Sequence, residues 1–163
     1  LDGAEIDRRL DLFWHPYHAE LTRVIAETRQ KFGAVLLFDA HSIGSVLPRF
    51  FEGRLPDFNV GTAEGASADV NLTARMFGVL DGAPGYTAVL NGRFKGGYIP
   101  RHYGDPANNI HAIQLEMGQV VYMEEDPPFR LLPERADKVR PVLTELLKTG
   151  LDWIGARSGA GTV

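Results

Sequence analysis

Apolar residues recur near the start of the chain at a helical interval. Ile6, Leu10, Phe13, Tyr17, Leu21 and Val24 are separated by four, three, four, four and three positions, which lines them along one face of a helix over residues 5–32. Pro16 lacks an N–H and crowds the preceding turn, so a kink or a division into two helices is expected there, and Gly33 supplies the stop. Residues 34–38 are apolar without alternation, the pattern of a strand buried on both faces. Residues 43–65 are rich in Gly and Pro and read as a long surface loop of the kind that often binds ligands. Helical spacing returns over 67–80, with Val70, Ala74, Phe77 and Leu80 facing inward and Ser67 as N-cap. Residues 86–90 and 110–117 predict two more strands, the second with Ile113 and Leu115 alternating against Gln114 and Glu116. After Asp126-Pro127-Pro128, residues 134–156 predict a terminal helix with Val139, Val142, Leu146 and Trp153 inward, bent early by Pro141. The tail at 158–162 has linker composition. Helices interleaved with strands predict an α/β layer fold: one domain over 1–163, without repeats.

Composition narrows the chemistry. The 163 residues are 44% hydrophobic and 23% charged, enough for one compact core. A net charge of -4 gives no basic footprint for nucleic acid. No apolar run approaches a membrane span and no signal peptide opens the chain, so neither membrane nor secretion is expected. Cysteine is absent, which fits a reducing cytoplasm and leaves His, Asp and Glu as the metal ligands on offer. The chain opens at Leu1 within a helix-like pattern, so it is expected to be the C-terminal portion of a longer catalytic domain.

Three segments carry candidate chemistry. Asp39-Ala40-His41-Ser42 follows the first buried strand, where open α/β sheets place their ligands. His41 is a candidate metal ligand there and Asp39 a carboxylate able to orient its ring; the alternative is a loop histidine bonded to backbone. In Gln114-Leu115-Glu116-Met117, Gln114 and Glu116 share one face of a strand with apolar neighbours. A carboxylate in that setting needs a partner or a metal, and near a metal it can act as general base; the alternative is a solvated rim carboxylate. Asn91-Gly92-Arg93-Phe94-Lys95-Gly96-Gly97-Tyr98, with Arg101 and His102 just beyond, combines flexible backbone with guanidinium groups suited to a carboxylate; the alternative is a solvated hairpin tip. His15 and His18 read as packing or surface residues, and His111 has no clear partner. Ser42 lacks the elbow motif a nucleophilic serine needs.

In order and spacing, Pro16-Tyr17-His18, Asp39-Ala40-His41-Ser42, Asn91 through Gly97 with Tyr98-Ile99, and Gln114-Leu115-Glu116-Met117 with Tyr122-Met123 resemble the N-formylglutamate amidohydrolase (deformylase) family, from about residue 5 to about 150. The resemblance implies a zinc exopeptidase-like fold, a mixed sheet between helices of the phosphorylase/hydrolase-like kind. It implies Zn²⁺ as cofactor, with His41 as one metal ligand, Glu116 as catalytic base and Asp39 behind the ligand. The remaining family ligands lie in an upstream segment absent from this chain. The glycine-rich segment is expected to supply the substrate contacts, from Asn91, Arg93, Gly97 and Arg101. The implied reaction is hydrolysis of the N-acyl amide of an acidic amino acid, N-formyl-L-glutamate to formate and L-glutamate, as in histidine degradation. A related N-acyl amino acid hydrolase or exopeptidase and a metal-free binding module are the alternatives.

Overall fold

The computed structural model describes residues 1–157; the linker-like tail lies outside them. Four strands, β1 (Val35–Ile43), β2 (Phe58–Gly61), β3 (Ala88–Leu90) and β4 (Ile110–Gly118), form one mixed sheet in the order β1-β4-β2-β3. β1 and β4 run parallel, as do β2 and β3, and β2 is antiparallel to β4. Helices α1 (Gly3–Arg9) and α2 (His15–Phe32) precede β1; α3 (Val70–Asp81), α4 (Tyr98–Tyr103) and α5 (Pro133–Gly155) follow. No helix of the described residues is long and apolar enough to cross a membrane.

Strand alternation divides the sheet chemically. One face presents Leu36, Phe38, Phe58, Val60, Ile113 and Leu115, which form the main core with Leu72, Met76 and Leu80 of α3 and Val139, Leu146 and Trp153 of α5. The other face is apolar only over the first half of β1 and β4. There Val35, Leu37 and Ile110 pack against Leu21 and Ile25 of α2 and Ile99 and Tyr103 of α4. Beyond that second core the same face turns polar.

Several elements differ from the sequence expectation. The first helix is not broken at Pro16. A π-helical turn over Leu10–Trp14 carries the His15 N–H to Leu10 O, and Pro16 falls in the first turn of α2, where its missing N–H costs least. The inserted residue rotates the helix face, so Ile6, Phe13, Tyr17 and Val24 remain exposed and Ile25 is buried. The expected surface loop at 43–65 contains β2, buried along its whole length. Asp69, not Ser67, caps α3 through Asn71 N at 2.7 Å. Ser67 is instead buried and donates its hydroxyl to Ala112 O at 2.7 Å. α3 buries Leu72, Thr73, Met76 and Leu80, while Val70 is exposed. β1 extends past residue 38 to Ile43, so His41 stands on the strand itself.

His111 lies under α5 with its ring edge-on to Trp153, centroids 4.9 Å apart. Nδ1 accepts from Asp69 N at 3.2 Å, so the neutral ring carries its proton on Nε2. Burial holds its pKa below the usual histidine value; the Asp69 carboxylate opposes this and the Arg157 cation adds to it. A group depressed in the folded state contributes stability above its unfolded value of about 6.5 and loses it as pH falls toward the folded value. Tm should therefore drop between pH 7 and pH 5, with a shallower slope in His111→Phe. Equal slopes would show that the ring protonates in place without penalty.

Candidate active site

The polar half of the sheet face is built from three adjacent strands. On β1, Asp39 and His41 alternate outward together. Their register partners on β4 are Gln114 and Glu116, and the partners of these on β2 are Gly61 and Asn59. Paired residues on neighbouring strands share a face and stand about 5 Å apart. The two motifs separated by more than seventy residues of sequence thus meet side by side near the carboxyl ends of two parallel strands.

Asp39 Oδ1 accepts from His41 Nε2 at 2.9 Å. The carboxylate is largely buried while the imidazole is half exposed. With Nε2–H committed to Asp39, the Nδ1 lone pair of the neutral ring has no hydrogen-bond partner among the described residues, the arrangement in which a carboxylate orients a ligating histidine. Glu116 is 8% exposed. Burial raises its pKa above the usual carboxylate value; the adjacent His41 opposes the shift and Asp39 reinforces it.

Asn59 is a site neighbour that the sequence reading passed over, since it lies in the supposed loop. Its side-chain amide donates to Pro56 O at 2.8 Å and to Glu116 O at 3.1 Å, fixing the backbone that carries the carboxylate. Its Oδ1 is buried and has no partner among the described residues. A polar residue amid buried apolar ones was the available signal.

Gln114 joins the glycine-rich loop to the sheet. Its Oε1 accepts from Gly97 N at 2.7 Å, and Gly97 O accepts from Arg101 Nε at 2.9 Å. Asn91 is turned inward: its Oδ1 accepts from Thr62 N and its Nδ2 donates to Thr62 Oγ1, both at 2.9 Å. Lys95 O accepts from Ala63 N at 2.7 Å, and Lys95 Nζ pairs with Glu64 at 2.6 Å. The Arg93 guanidinium lies over the Phe51 ring, 5.6 Å from its centroid. Of the expected substrate contacts, Arg93 and Arg101 thus carry exposed cations, whereas Asn91 and Gly97 hold the loop in place. A cavity of about 620 Å³ elsewhere, lined by Arg54, Tyr86 and Lys138 among others, includes none of these residues.

The donor set bears on a metal. His41, backed by Asp39 and beside Glu116, suits one imidazole ligand of a zinc ion. Among the described residues no group of three His, Asp or Glu side chains is gathered to hold an ion, so one ligand position fits and a closed set does not form.

The sequence profile of the N-formylglutamate amidohydrolase family matches residues 1–123. The chain belongs to this family. Among its relatives is the N-formylglutamate deformylase of Pseudomonas putida, 52% identical over 151 residues, which are 93% of this chain and 57% of that protein. The enzyme of the same name from Pseudomonas aeruginosa is 50% identical over 146 residues, 90% of this chain and 55% of that protein. The crystal structure of N-formylglutamate amidohydrolase from Ralstonia eutropha superposes with a TM-score of 0.80 at 27% identity, covering 94% of this chain and 57% of that one. The chain therefore spans little more than half the length of these family members, and its mixed α/β sheet matches the corresponding part of the family's solved fold.

Proposed function

We propose that the protein carrying this chain hydrolyses the formyl amide of N-formyl-L-glutamate, releasing formate and L-glutamate. The observation that carries the reading is the pairing of a buried carboxylate, Glu116, with the Asp39-held imidazole of His41 in register on the neighbouring strand. Membership of the family and the identity to two deformylases support the substrate. On this reading the fold is of the zinc exopeptidase kind and His41 is one ligand of Zn²⁺, the others lying outside the described residues. When bound, the ion supplies Lewis acidity toward the amide carbonyl and acidifies water.

The chain's own residues account for the proton and the substrate. Glu116 takes a proton from the attacking water and passes it to the amide nitrogen as the C–N bond breaks, so the amine leaves neutral. Asp39 fixes the His41 ring. Arg93, on the loop that Asn91 ties to Thr62, and Arg101, on α4 just past the Gly97 that bonds Gln114, offer N–H groups to the substrate carboxylates. The low exposure of Glu116 keeps bulk water away from its carboxylate.

The test is formate release from N-formylglutamate by the intact protein, with zinc measured in the same preparation. Wild type should produce formate and glutamate in equal amounts and contain zinc. His41→Ala should lose most of the zinc and nearly all activity. Stoichiometric zinc in that variant would remove His41 from the metal site, and absence of formate from zinc-loaded wild type would overturn the substrate.

A further inference from the structure

The helical wall beside the polar face holds a second oriented imidazole. α2 and β1 are joined by Gly33 and Ala34 alone, so the helix runs back antiparallel to the strand over the same face. Leu21 and Ile25 pack at the level of Val35 and Leu37. His18, one turn further out along α2, therefore stands toward the Asp39 and His41 end of β1. α4 approaches from the other side, beginning at Tyr98 immediately after Gly97, the residue fixed to Gln114.

His18 is built into this wall. Its Nδ1 lies 2.6 Å from the hydroxyl of Tyr103, which is buried in the second core. The ring stacks on Tyr103, tilts against Trp14 with centroids 4.2 Å apart, and meets Tyr98 edge-on at 5.1 Å. The π turn ends at Trp14 and so sets the phase of α2; such turns recur at functional sites. The same hydroxyl also lies 3.3 Å from His18 O. With the phenol donating to Nδ1, or with Nδ1 donating to the phenol in the imidazolium, Nε2 carries a hydrogen. That N–H has no partner among the described residues.

We propose that His18, oriented by Tyr103, donates its Nε2–H to one carboxylate of the N-acyl amino acid, so that this aromatic wall selects for an acidic substrate. The inference rests on the hydrolase reading above. Tyr103 acts only as a positioning residue, holding the ring from behind. An imidazole on the helix that runs over this face of the sheet, with one nitrogen anchored and the other without a partner among the described residues, suits an anionic oxygen better than an amine or an apolar group.

The experiment compares KM and kcat for N-formylglutamate, N-formylglutamine and 4-formamidobutanoate in the intact wild type, His18→Leu, His18→Gln and Tyr103→Phe. Wild-type turnover of N-formylglutamate establishes the underlying reading; failure there overturns that reading and this proposal with it. Given turnover, His18→Leu should raise KM for N-formylglutamate about 10- to 100-fold, the scale of one charge-assisted hydrogen bond, with kcat within about threefold. His18→Gln, whose amide can place an N–H near the same point, should recover most of the loss. Tyr103→Phe, the variant least disruptive to folding, should raise KM about 3- to 10-fold. The KM penalty of His18→Leu should vanish for whichever truncated substrate lacks the contacted carboxylate: N-formylglutamine if it is the side-chain group, 4-formamidobutanoate if it is the α group. Unchanged KM in Tyr103→Phe and in folded His18 variants would overturn the assignment, as would equal penalties on all three substrates.

Discussion

Glu116→Gln should lower kcat for N-formylglutamate by about 10²- to 10⁴-fold, the scale of losing a positioned acid–base group, while leaving KM and zinc content close to wild type. Glutamine preserves the shape of the side chain and can still hydrogen-bond, but it cannot take a proton from water. The structure sharpens the comparison, because Asn59 grips the Glu116 backbone carbonyl and not its carboxylate. The substitution therefore leaves the strand's own bonds untouched. A purely structural Glu116, buried at 8% exposure, would respond the other way: a neutral amide is cheaper to bury than a carboxylate, so stability would hold or rise and turnover would stay near normal. Near-normal kcat with full zinc would remove Glu116 from the mechanism.

Gly61→Ala should be the most damaging single methyl added near the site. A Cβ at Gly61 would stand 2.3 Å from Gly96 N and 2.7 Å from both Gly96 Cα and Lys95 C. All three are backbone atoms, so no side chain can rotate away, and the end of β2 must part from the loop carrying Lys95 and Gly96. Overpacking against a rigid neighbour costs about 3 kcal/mol, which for a chain of this size lowers Tm by about 6–12 °C. The displaced loop also bears Gly97, so its bond to Gln114 should loosen and KM should rise. Gly78→Ala in α3 is the control: nothing lies within 4 Å of its added methyl, and replacing a mid-helix glycine should gain about 1 kcal/mol. Equal Tm values for the two variants would show that the contact between the Gly61 and Gly96 backbones relaxes without cost.

Local pattern was legible wherever it was long and regular. The 110–117 strand, the 134–156 helix and the helix ending near residue 80 all lie within a few residues of their observed bounds. It failed where a distant partner decides. β2 is only four residues, Phe58–Gly61, flanked by Pro56 and a glycine turn, and no alternation announces it. It is a strand because β4 and β3 supply its hydrogen bonds. The faces of the helices were similarly undetermined. In α3 the set at Leu72, Met76 and Leu80 displaced the expected Val70 and Ala74 because longer side chains fill the space above the sheet. In the first helix one extra residue in a π turn changed the phase, which residue spacing cannot show.

The same division runs through the site. Sequence alone singled out His41 and Glu116 as the candidates for chemistry, because a histidine beside a buried strand and a carboxylate among apolar neighbours are costly unless used. It also determined that they sit near strand ends. Only the tertiary structure decided that Asp39 holds His41, that Glu116 stands in register beside it, that Asn91 faces Thr62, and that His18 joins the wall. The physical reason is one of range. Periodicity and side-chain chemistry are properties of a few consecutive residues, whereas strand register and helix phase are fixed by hydrogen bonds and packing between segments that the chain brings together only on folding.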